Sequence, residues 1–168
     1  MPQSRSPIAS GEKHGHPIVR TALWLLLGGW FGGYLLFGAV VAPTAFSVLP
    51  TSQIAGTLVG PVLTKLHLFG AAAGIPLAVL SHLLGRRRWL TLAPLVLSAL
   101  CVYSHFGITA KLAETRLLTF SPAGSAEAAI RFGFLHDLSL GIFIGVGISV
   151  TALIWLHARA DAQSFASG

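Results

Sequence analysis

Four apolar runs, each about as long as a bilayer crossing, limit what this chain can fold into more than any other feature. A hydrocarbon core about 30 Å thick takes roughly 20 helical residues. The runs Leu23 to Val41, about Gly56 to Leu84, Trp89 to about Ile108, and about Phe132 to Trp155 meet that length. They are continuously apolar, which excludes the alternating pattern of barrel strands. Charged residues make up 10% of the chain and the mean hydropathy is +0.76, whereas a soluble domain carries about 25% charge. The predicted fold class is all-α, an integral membrane four-helix bundle. Disorder, collagen and coiled coil need more charge or a strict repeat. The single cysteine, Cys101, excludes an intramolecular disulfide framework and a CxxC metal knuckle.

The first run is longer than the apolar core of a signal peptide and lacks an A-x-A exit, so it reads as a retained helix. Lys and Arg are divided unevenly between the two sides. Arg5, Lys13, Arg20, Arg86, Arg87, Arg88 and Arg159 fall on one side, and Lys65, Lys111, Arg116 and Arg131 on the other. Positive residues in short loops stay inside, so both termini are predicted to be cytoplasmic. The expected location is a bacterial inner membrane. Residues 1–21 are expected to form a polar, disordered leader, residues 22–158 the transmembrane domain, and residues 159–168 a short tail. Polar connections run from Pro43 to about Ala55 and from about Lys111 to Arg131. Pro122 and Gly124 mark a turn, after which Ser125 can cap the last helix, with Glu127 in its first turn. The net charge of +6 is scattered between apolar blocks, so nucleic acid is not an expected partner. The lipid bilayer is.

Helices in lipid associate through small residues that let backbones approach. Gly28/Gly32 and Gly29/Gly33 mark the first helix, Gly56/Gly60 and Gly70, Gly74 and Ala78 the second. The fourth carries Gly133, Gly141, Gly145 and Ser149 on a ridge shared with Asp137. Packing within one bundle is the expected use of these faces, and a homodimer through them is the alternative. Pro76 should kink the second helix unless its freed carbonyl finds a partner.

The histidines carry most of the chemical information. His82 and His157 fall near the cytoplasmic ends of their helices and take no role. Counted outward from Leu84, Trp89 and Trp155, His67, His105 and His136 lie roughly 24–28 Å from the inner face. Asp137 and Lys65 are near that level, and Cys101 is one turn deeper on the face of His105. On one reading these are interfacial residues with polar tips among headgroups. On the other, His67, His105 and His136 converge on a metal, with Asp137 and Ser139 in support. Imidazole with a thiolate suits copper or zinc, and a histidine pair suits haem. No Gly-rich loop follows a strand, so nucleotide binding has no basis. Ser139 and His136 share a face, but Asp137 lies about 100° round the helix, which breaks up a triad within this segment. Glu114, Arg116 and Arg131 read as solvated loop charges or an outer anion site.

Two end motifs carry a family resemblance. The first helix and its exit read Trp24, Gly28-Gly29-Trp30, Val41-Ala42-Pro43, Phe46, Leu49-Pro50 and Ala55-Gly56. The last helix opens Arg131-Phe132, Leu135-His136 and Ser139. Over about residues 20 to 157 the chain resembles the transmembrane protein 205-like family, also described as domain of unknown function 4149. It is more distantly similar to copper-resistance D-type membrane proteins and to a haem-using, four-helix protoporphyrinogen oxidase family. The resemblance implies a four-helix membrane protein without an established activity. Trp24, Pro43, Phe46, Phe132, His136 and Ser139 occupy its motif positions, whereas His67, Cys101 and His105 do not, so it singles out His136. Lys111 is the candidate for the lysine of the haem-using enzymes.

Three functions follow: a protein that binds copper through His136, His105 and His67; a redox enzyme with haem on those histidines; and a structural or accessory subunit. The cytoplasmic half offers His82 but no acidic residue, which favours binding over transport.

Overall fold

A computed structural model gives the architecture, and the structure describes residues 17–120 and 124–166. His14 and His16 of the leader, and Pro122 of the expected turn, lie outside these. Four helices follow in order: α1 (Pro17–Val48), α2 (Ser52–Leu83), α3 (Arg88–Thr119) and α4 (Ala126–Ala166). Each is long and apolar enough to cross a membrane. With no strand among the described residues, this is the all-α four-helix arrangement that the apolar runs predict.

The helices are longer than the runs that announce them. α1 begins at Pro17, inside the expected leader, and α4 continues to Ala166, through most of the expected tail. Both polar connections are largely helical, because α1 extends through Val48 and α3 through Thr119. Thr51 caps α2 by accepting from the Ile54 amide at 3.3 Å, and Ser125 caps α4 by accepting from Ala128 at 3.1 Å. α2 passes Pro61 and Pro76 as one helix.

Two helices carry a widened, π-helical turn. In α1 it spans Phe37–Val41, immediately ahead of Pro43. Pro43 has no N–H, and its ring would meet the carbonyl four residues back in a tight ladder, so the wider turn makes room for it. In α3 it spans Ser104–Thr109, and the Thr109 hydroxyl donates to the Ser104 carbonyl at 3.1 Å.

The turn from α2 to α3 is a Schellman closure. Gly85 donates to His82 O at 2.9 Å and Arg86 to Ser81 O at 3.0 Å. Gly85 takes φ +65°, a left-handed conformation that a Cβ would disfavour. The closure folds Arg86 back over Ser81.

α1 buries Leu23, Leu27, Trp30, Tyr34 and Phe37, a spacing of alternating three and four that keeps one stripe inward. Leu25, Ile75, Val96 and Ile148 are each more than 60% exposed, and many other large apolar side chains also face outward. Such a surface would aggregate in water, but it suits acyl chains. In lipid, burial of apolar area gives no driving force, so close packing holds the helices together. That packing is tightest between α2 and α3. A Cβ on Gly74 would lie 2.3 Å from Ser98 Cβ and 2.8 Å from Pro94 O, and one on Gly70 2.8 Å from Cys101 Sγ. Gly29 and Gly33 face Phe69 and Leu66 across the α1–α2 contact. By contrast, Gly28, Gly32, Gly141 and Gly145 meet no neighbouring atoms within 4 Å. The Gly70/Gly74 face of α2 is therefore internal, while Gly60 meets no neighbour, and half of the small residues on α1 and most on α4 are turned outward.

Gly74→Ala gains up to about 1 kcal/mol of helix propensity but must push apart two backbones, an overpacking cost of about 1–3 kcal/mol. We expect a lower thermal midpoint in detergent for Gly74→Ala and an unchanged or raised one for Gly28→Ala. Equal midpoints for the two would contradict this α2–α3 contact.

Candidate functional site

The α2–α3 contact also sets which residues stand opposite each other. Gly74 abuts Ser98 and Gly70 abuts Cys101. One turn back along α2 thus matches one turn on along α3, which sets His67 opposite Ser104 and His105. His105 is also within electrostatic reach of His67. From α1, the Trp30 indole reaches Gly70, with Nε1 3.0 Å from where a Cβ would stand. The Tyr34 hydroxyl lies 3.8 Å from Cys101 Sγ.

The outcome is a polar cluster shared by α1, α2 and α3 inside an apolar bundle. His67 is wholly buried, and neither of its ring nitrogens has a hydrogen-bond partner. His105 Nδ1, Ser104 Oγ and Trp30 Nε1 are likewise buried and unpaired. An unpaired buried polar group costs about 1–3 kcal/mol, so four residues in this condition at one place require an explanation. His105 sits in the π-helical turn Ser104–Thr109. Such turns re-aim side chains and recur at functional positions.

His136 is not part of this cluster. Tyr34 packs on Gly147 at 3.8 Å, and Gly33, beside Tyr34, meets Leu66, the neighbour of His67. The level of His67 in α4 is therefore near Gly147, and His136 lies eleven residues, or about 16 Å, farther out. The equal-depth count fails because it took Trp155 as the inner end of α4, which runs on to Ala166. His136 and Asp137 are exposed, and the His136 ring stacks on Phe132 at 6.2 Å. Ser139 faces inward and is buried. Lys65 and Lys111 are exposed. Among the described residues, no group of three or more His, Cys, Asp or Glu is placed to hold a metal. The expected three-histidine convergence is thus reduced to the pair His67 and His105.

A second polar cluster closes the opposite end, where the first turns of α1 meet the last turns of α4. Asp161 of α4 accepts from Trp24 Nε1 at 3.1 Å and from Arg86, and Arg20 Nε stands 3.5 Å from it. His157, one turn before Asp161, is 1% exposed, has neither nitrogen paired, and lies within electrostatic reach of Arg86 and Asp161. Sequence reasoning set His157 aside as interfacial and gave Asp161 to the tail. The signal available was the four-residue spacing of the two, which puts them on one helical face. His82 is exposed, in keeping with an interfacial place.

No curated protein and no solved structure matches the chain. A family model does match residues 25–119, a stretch that contains Trp30, Tyr34, His67, Cys101, Ser104 and His105 and stops short of His136 and Asp161. The chain belongs to the family described as Domain of unknown function (DUF4149).

Proposed function

We propose that this protein holds a single copper(I) ion in a bacterial inner membrane, between α2 and α3, on His67 and His105. The observation that carries the reading is His67: a fully enclosed imidazole with both nitrogens unpaired, opposite a second imidazole with an unpaired nitrogen. A neutral imidazole is a metal ligand as it stands, and coordination would remove the cost of leaving its unprotonated nitrogen bare. Two nitrogen donors with a thiol one turn away suit a soft ion of low coordination number. Zinc asks for four ligands, or three and a water. The copper-resistance D-type resemblance supports the same choice.

In this reading Cys101 and Tyr34 line the deeper side of the ion, and Cys101 would supply the counter-charge that two neutral imidazoles lack by giving up its thiol proton to solvent as the metal binds. His136 and Asp137, exposed about 16 Å farther out along α4, meet ions arriving from that side. Both termini are cytoplasmic, as the Arg86–Arg88 turn directs, so the copper site lies in the outer half of the membrane.

Two experiments test these statements. Purified protein loaded with copper under reducing conditions is expected to retain about one ion per chain. His67→Ala and His105→Ala should each lower affinity by at least about tenfold, a loss reported even for outer-shell partners. His136→Ala should keep the ion once bound. Full copper retention by folded His67→Ala would sink the proposal, and a Soret band in place of copper would move the site to haem. For orientation, a Gly124→Cys probe in a Cys101→Ser background is expected to react with an impermeant maleimide added to intact cells. A Gly168→Cys probe should react only after lysis, and the reverse pattern would invert the topology.

A further inference from the structure

The seam between α2 and α3 changes character along its length. Gly56, Gly60, His67, Gly70 and Gly74 follow at helical spacing and share one face of α2. At Gly74 and Gly70, α3 fills that face so closely that a Cβ would meet Ser98 and Cys101 at 2.3 and 2.8 Å. At Gly60, farther out on the same face, a Cβ would meet nothing within 4 Å. The cause is the course of α3: no Cα of its outer stretch, Ala110–Thr119, comes within 8 Å of a Cα of α2. Packed helices have axes about 8–10 Å apart, and their nearest Cα atoms approach more closely than that. Beyond the π-helical turn Ser104–Thr109 this stretch packs on α4 instead, where Phe120 meets Phe132 edge-on with ring centroids 5.6 Å apart. The Arg116 side chain bridges the gap. It donates to the Gln53 carbonyl and lies over Gly56, 3.4 Å from where a Cβ would stand.

The gap stands above the buried histidines. His67 lies inward of Gly60 on the shared face, and His105 is only half-buried. Ile108, 2% exposed and one turn outward of Ser104, closes the floor between them and the gap. We infer that the outer stretch of α3 is a hinged gate over His67 and His105, with the turn Ser104–Thr109 as its hinge and Arg116 as its latch. The parts suit the task. Hinges are a few residues at element ends that take up the change in dihedrals, and Gly107 within this turn frees its backbone. The latch is one exposed bond from a side chain to a carbonyl, and water replaces such a bond at small cost. Swinging Ala110–Thr119 away from α2 carries Ile108 with it and opens the seam to the outer aqueous side. Arg116 and His136 stand one turn inward of the touching rings Phe120 and Phe132, and so at one level. The residues that meet arriving ions are thus at the mouth of the gate. That the admitted ion is copper(I) rests on the function proposed above, whereas the hinge and latch do not.

Cys101, the single cysteine of the chain, lies beneath the gate and reports its opening without any metal. The full chain in lipid nanodiscs is treated with methyl methanethiosulfonate, and modification of the thiol is followed by intact mass. Arg116→Gln should speed the reaction about tenfold, the effect of losing one hydrogen bond to a charged group. Gly60→Phe fills the gap and should cancel that gain in the double variant, with the smaller Gly60→Leu in its place if the first lowers the thermal midpoint. Arg131→Gln, an exposed cation of α4 near the same end, should leave the rate unchanged. Copper(I) supplies a second readout: Arg116→Gln should load and release the ion faster by the same factor, with its affinity unchanged. A thiol rate unmoved by Arg116→Gln, or raised as much with Gly60 filled, would overturn the gate. Thiol rates that follow expectation in a chain that binds no copper would uphold the gate and sink the copper reading instead.

Discussion

The close approach of α2 and α3 at Gly70 and Gly74 is the contact on which the rest of the bundle depends. With no Cβ on either glycine, Ser98 and Cys101 settle against the α2 backbone, and the antiparallel register of the two helices follows. That register sets His67 against Ser104 and His105. It also leaves room for the Trp30 ring, which packs against Gly70 from α1. In water such an approach would be one contribution among many. In lipid, where apolar burial gives no net gain, close van der Waals contact and hydrogen bonds between helices are what remain.

At the terminal end the same problem is solved with charge. α4 touches the rest of the bundle there through Asp161, which draws Arg86 from the α2–α3 turn and Trp24 and Arg20 from α1. The Schellman closure at Gly85 delivers Arg86 to that carboxylate from a turn of only a few residues. A buried ion pair is weak evidence for net stability, but breaking one by removing a single partner costs about 3–5 kcal/mol. The pair therefore acts mainly as a specifier: it fixes which residue of α4 stands level with the α2–α3 turn.

Much of the fold was legible in the sequence because apolar length alone identifies a crossing, and caps such as Ser125 obey local chemistry. Helix ends were not, since residues 111–119 and 159–166 read as loop and tail yet continue helices that leave the apolar layer. The site was half legible for the same reason. Depth counting placed His67 and His105 together because Leu84 and Trp89 flank one short turn and share an origin. It misplaced His136 because Trp155 is not at that level. The π-helical turn around His105 has no local signature, and Tyr34, Trp30 and Ser104 became polar-site candidates only once the helix faces were known.

Between the two polar levels lie about 14 residues of α2, or roughly 21 Å, and what fills that distance bears on function. Ser98 donates to Ala71 O, Ser149 to Gly145 O and Thr151 to Gly147 O. Each of these hydroxyls is committed to a backbone carbonyl, so none of the three is left to hand a proton or an ion from one level to the next. The packing at Gly74 also closes the seam between α2 and α3 through the same stretch. A pathway would need groups free to exchange partners, whereas here the unpaired groups gather at the two ends and the intervening ones are bonded. That separation argues against a conduit joining the two levels.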